Sequence, residues 1–103
     1  MDWQNLSNAA AIAEIGKRLK AYRLKKKLTQ KDLAERAGIS LFTVAQMEKG
    51  RPVSITMLLP VLRVLRLLDN LEQLVPEIGI SPIELMKLKG KTPQRIKPPK
   101  EKL

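Results

Sequence analysis

Gln30 and Gln46 bracket a stretch that also holds Ser40 and Thr43, with Lys49 and Arg51 just beyond it. A glutamine amide presents a donor and an acceptor side by side and can grip an adenine edge with two hydrogen bonds. Donors near helix N-termini suit phosphate, which singles out Thr29, Gln30 and Ser40. Lys49 and Arg51 are cations fit for salt-sensitive contacts with a phosphate backbone. Plainer readings stand beside these. Gln30 is also a good helix former, Gln46 can equally face solvent, and Lys25, Lys26 and Lys27 read as a solvated helix end. Leu41 and Phe42 lie among the polar residues yet can neither donate nor accept a hydrogen bond. In a DNA major groove they can meet only the C5-methyl of thymine, the one apolar feature there. Alternatively Phe42 turns back onto the protein and leaves Leu41 alone at the surface.

Other chemistries find little support. The chain of 103 residues has no cysteine and no histidine, which excludes a disulfide scaffold, the usual zinc sites and histidine acid–base catalysis. No nucleophile–base pair, metal cluster or phosphate loop stands out, so no enzyme, metal or cofactor is expected. The N-terminal stretch "MDWQNLSNAA" has an early acid and no basic n-region, so no signal peptide is expected. The most apolar stretch, residues 52 to 68, is broken by Ser, Thr, Pro and two Arg and is too short to span a bilayer. The expected compartment is the cytoplasm.

Net charge is +10, from 20 basic and 10 acidic residues, and it is unevenly spread. Residues 1 to 51 carry +6, residues 52 to 86 carry −2, and residues 87 to 103 carry +6. Two basic ends around an apolar middle point to a polyanion, nucleic acid before anionic membrane. A well-solvated surface gives the same composition.

The elements that must position these residues are helices. Ile12, Ile15, Leu19 and Tyr22 recur at helical spacing, which predicts a first helix from Ser7 to Lys26. Thr29 and Asp32 form a capping box ahead of Leu33, Ala34 and Ala37, and Gly38 supplies the left-handed stop. Ser40 caps a third helix that turns Val44 and Met47 inward and ends at Gly50. A fourth helix is predicted from Ser54 to Leu67 despite Pro60, because Thr56, Pro60 and Arg63 share an outward stripe. It bears two apolar stripes: Ile55, Leu58, Leu62 and Leu65, and Met57, Val61, Val64 and Leu68. Asp69 and Glu72 mark a fifth helix ending near Val75, and "SPIE" marks a short last helix within residues 81 to 90. Residues 91 to 103, with prolines and basic residues, are expected to be a disordered or partner-ordered tail. The predicted domain is residues 1 to 80, all-α.

Two short helices joined through Gly38 and Ser40 make a helix-turn-helix. The stretch "LTQKDLAERAGISLFTVAQMEKGR" resembles the helix-turn-helix of the Cro/phage-repressor-like (Xre) family at Leu28, Thr29, Gln30, Leu33, Ala34, Ala37, Gly38, Ile39, Ser40, Val44, Met47, Glu48 and Gly50. With its flanking helices the resemblance covers residues 15 to 75. It implies a compact five-helix lambda-repressor-like bundle that binds operator DNA as a dimer, with its third helix in the major groove. It implies a phosphate or base contact for Gln30, base reading by Leu41, Phe42 and Gln46, and a role near backbone or base for Thr43. Arg51 matches a phosphate-gripping loop, and Ser40 and Lys49 are further candidates. Arg23 and Glu48 match an ion pair tying the first helix to the third. More loosely, residues 64 to 97 are similar to single-domain Xre regulators that act as HipB-like antitoxins beside a HipA-like kinase toxin.

The leading expectation is therefore a sequence-specific repressor, with an antitoxin role as its finer form. The competing class is a protein-interaction module that uses the helix-turn-helix as scaffold and Leu41 and Phe42 as contact surface. A homodimer is expected through Met57, Val61, Val64 and Leu68, joined by Leu71, Leu74 and Val75. A two-fold pair would set the recognition helices about 34 Å apart, one DNA turn. The rival is that these residues pack on "SPIELMKL" within one chain.

Overall fold

A computed structural model describes residues 1–79 together with Ile83, Met86 and Lys87. Within residues 1–79 five α-helices follow one another: α1 Asn8–Lys25, α2 Gln30–Ala37, α3 Leu41–Glu48, α4 Ile55–Val64 and α5 Leu71–Leu74. Among the described residues there is no strand, and no helix is long and apolar enough to cross a membrane. Ile83, Met86 and Lys87 are helical; the rest of the segment 81 to 90 and the basic tail 91 to 103 lie outside the described residues.

A hydroxyl caps each of the first four helices. Ser7, Thr29, Ser40 and Ser54 accept from the backbone amides of Ala10, Asp32, Thr43 and Met57. Each bond satisfies one of the orphan donors of a helix start. At α2 the capping box is complete, because the Asp32 carboxylate also accepts from the Thr29 amide at 2.9 Å. That amide, and then the Thr29 hydroxyl, hold the Asp32 carboxyl below its usual pKa range. Gly38 ends α2 at φ 71°, in the left-handed region where glycine carries no steric penalty.

The core gathers Leu19 of α1, Leu33 and Ala34 of α2, Val44 and Met47 of α3, Val61 of α4, and Leu65 just beyond it. Helix α2 packs on α3 and α4, and α1 packs on α3. Two faces differ from those the apolar spacing predicts. On α1, Ile15 and Tyr22 are exposed, and the inward face is Gly16, Leu19 and Arg23. The reason is Gly16, which lets α1 lie directly on the end of α3. A Cβ added there would stand 2.3 Å from the Met47 carbonyl oxygen.

On α4 the inward face runs between the two stripes. Val61 and Leu65 are fully buried and Leu58, Leu62 and Val64 pack against them, while Ile55 is 70% exposed. Positions spaced three and four apart form one continuous helical face, so the core takes members of both stripes. Val61, expected on a dimer face, is a core residue instead. Helix α4 also stops earlier than the predicted Leu67. Leu65 and Arg66 turn the chain, Arg66 with φ 63°, and the Leu67 amide donates to the Leu62 carbonyl at 2.8 Å. A 3-10 turn at Leu68–Asn70 then leads straight into α5, with no side-chain cap from Asp69 or Asn70.

Candidate nucleic-acid interface

Helix α3 owes its two faces to its spacing. Val44 and Met47 point into the core, which turns Leu41, Phe42 and Gln46 the other way. Phe42 is 71% exposed and Leu41 48%, so Phe42 does not fold back onto the protein. Ser40, Lys49 and Arg51 are exposed, and Thr43 and Gln46 half-buried. The helix start is rigid. The Ser40 hydroxyl accepts from the Thr43 amide at 3.0 Å and shares a 2.8 Å hydrogen bond with the Thr43 hydroxyl. The helix end is fixed as well: the Arg51 amide donates to the Gln46 carbonyl at 3.0 Å, and Gly50 turns at φ 82°, where an added Cβ would stand 2.8 Å from the Ala13 α-carbon. The seven residues Ser40, Leu41, Phe42, Thr43, Gln46, Lys49 and Arg51 thus lie along or at the ends of one helix.

Gln30 is differently placed. It is half-buried, and its side-chain amide nitrogen donates to Glu48 Oε1 at 3.0 Å. One of its two amide hydrogens is therefore spent inside the protein, which leaves the second hydrogen and the carbonyl oxygen for an outside partner. Glu48 is the centre of this network. Arg23 Nε donates to Glu48 Oε2 at 2.7 Å and Arg23 Nη2 to Oε1 at 3.0 Å, while Nη1 reaches the Leu28 carbonyl at 2.8 Å. The two side chains keep only 8% and 4% of their surface exposed. The Glu48 hydrogen bonds raise the Arg23 pKa; burial opposes this and the Glu48 charge adds to it. This network joins α1, the α1–α2 connection, the start of α2 and the end of α3. It fixes how α3 is presented.

A groove of about 270 Å³ opens beside α3. Phe42, Thr43 and Gln46 form one wall, and Pro52, Val53, Ser54 and Met57 form the other. Met57, expected on a dimer face, stands here next to the recognition helix. Pro52 and Val53 were not among the expected site residues. They reach the site through the turn between α3 and α4, and no local spacing in the sequence signals that proximity.

Two short helices, a glycine turn, and an outward helix face with Lys49 and Arg51 beyond its C-terminal end make a helix-turn-helix. Residues 19–68, from the second half of α1 to the turn after α4, match the helix-turn-helix family. They form a helix-turn-helix domain of the Cro/C1 type, similar to Xre regulators, and such a domain implies DNA binding. A comparison with curated proteins gives no match.

Proposed function

We propose that the protein is a sequence-specific transcriptional regulator, acting as a repressor on operator DNA in the cytoplasm. The observation that carries this reading is the outward face of α3, where Leu41, Phe42 and Gln46 stand clear of the core between exposed Ser40 at one end and Lys49 and Arg51 at the other. Base contacts are assigned to Leu41, Phe42 and Gln46. Phosphate contacts are assigned to Ser40, Thr43, Lys49, Arg51 and the second amide hydrogen of Gln30, at the start of α2. Fluorescence anisotropy on duplex DNA at two salt concentrations tests it. Binding should weaken steeply with salt, and Arg51→Ala should reduce the slope by about one. The exposure of Phe42 favours a second reading, a protein-docking helix; absence of DNA binding at low salt would select it.

The regulator is proposed to act as a homodimer. With Val61 in the core, the candidate face is Leu68, Leu71 and Leu74, with Val64 at its edge and Met57 nearer the groove. Leu74 is 72% exposed, more than a monomer needs of a leucine at that position. Leu74→Glu is expected to shift sedimentation at tens of micromolar from dimer to monomer without lowering the melting temperature. A wild-type chain that sediments as a monomer, with and without DNA, removes the dimer. The finer role, an antitoxin beside a HipA-like toxin, rests on the similarity of residues 64 to 97. A kinase-like product of the neighbouring gene that co-purifies with this chain would support it.

A further inference from the structure

We propose that the first turn of α3 reads the C5-methyl group of pyrimidines, carried by thymine or by 5-methylcytosine. The inference rests on the DNA-binding reading above and adds what the helix recognises. Three observations carry it. First, Leu41 and Phe42 are both well exposed there and neither can exchange a hydrogen bond. Second, the polar groups nearest this turn are partly spent within the protein. The Ser40 and Thr43 hydroxyls share one hydrogen bond, the Ser40 oxygen also takes the Thr43 amide, and one Gln30 amide hydrogen goes to Glu48. What this turn offers a base edge is therefore chiefly hydrocarbon. Third, Phe42 is not an isolated ring. It is one wall of the groove whose opposite wall is Pro52, Val53 and Met57. A methyl group brought against Phe42 would leave water on more than one side. Exposed Lys49 and Arg51 supply the charge that draws a polyanion to this face.

The major groove has one apolar feature, the methyl on C5 of thymine. In 5-methylcytosine the same methyl sits on the same ring carbon. The two bases differ at C4, carbonyl against amino, and Leu41 and Phe42 cannot sense that difference. A site read by hydrocarbon alone therefore treats them alike. It follows that methylation of a cytosine facing this turn should strengthen binding.

The test uses the full chain and an operator enriched from random duplexes. Each thymine is replaced in turn by uracil, which removes only the methyl. At the responsive position, cytosine and 5-methylcytosine paired with guanine are then compared. Removing the methyl should weaken binding about fourfold, the transfer value of one methylene-sized group. Methylating the cytosine should strengthen binding by a similar factor. Phe42→Ala should erase both differences, and its unchanged melting curve would show that the fold is kept. Indifference of the wild type to uracil at every thymine overturns the inference and leaves DNA binding standing. A uracil effect without a methylcytosine effect overturns the shared-methyl claim. Failure to enrich any sequence overturns both this inference and the reading beneath it.

Discussion

Replacing Glu48 by alanine is expected to lower folding stability by about 3 kcal/mol. The substitution removes the acceptor of three hydrogen bonds, two from Arg23 and one from Gln30. It leaves a guanidinium with 92% of its side-chain surface buried and only the Leu28 carbonyl as partner. An unpaired buried charge costs far more than a lost surface pair, whose removal costs at most about 1 kcal/mol. Urea melts at neutral pH measure the difference, and a loss below about 1 kcal/mol would mean the pair behaves as a surface one. The double substitution Arg23→Met, Glu48→Leu separates pairing from packing. It removes both charges and is expected to recover most of the lost stability. It should not recover DNA affinity in full, because the ends of α2 and α3 are then no longer joined through Gln30.

Hydrophobic spacing and end signals made most of this fold legible in the sequence. Ser7, Thr29, Ser40 and Ser54 each precede a helix and each caps it, because a hydroxyl one residue ahead of an apolar-periodic run answers a local need. The rotation of each helix was less legible. The α1 stripe of Ile12, Ile15, Leu19 and Tyr22 treats Gly16 as neutral, whereas Gly16 is the point of closest approach. On α4, two apolar stripes side by side give no local reason to prefer either, and the tertiary packing chose the face between them. Val61 went to the core for that reason.

The site divides in the same way. Leu41 and Phe42 were legible as an exposed apolar turn because Val44 and Met47, on the opposite face, are the inward pair. The bond from Gln30 to Glu48 was not, since it joins positions eighteen residues apart that only the packing of α2 on α3 brings together. Arg23 and Glu48 lie still further apart, and only the resemblance to a family tied them before the fold did. The groove wall of Pro52, Val53 and Met57 is likewise a product of the chain's path from α3 to α4.

Gly16→Ala is expected to destabilise the protein by about 2 kcal/mol, although alanine in an exposed helix is favoured over glycine by about 1 kcal/mol. The added Cβ would lie 2.3 Å from the Met47 carbonyl oxygen and 3.2 Å from both the Glu48 carbonyl oxygen and the Gly50 amide nitrogen. All three are backbone atoms, which cannot swing aside as a flexible side chain can. Relief requires α1 to move away from α3, and the cost of such overpacking is typically about 1–3 kcal/mol before the helix-propensity gain is counted. The displacement would also stretch the Arg23–Glu48 pair, which spans the same two helices. DNA affinity should therefore fall in the folded variant, because the end of α3 is shifted along with its exposed face. Gly79→Ala is the control: a Cβ there meets no atom of the described residues within 4 Å, and its melt should match the wild type. Thermal and urea melts of both variants decide the matter. A Gly16→Ala protein more stable than the wild type would show that α1 approaches α3 less closely than this geometry requires.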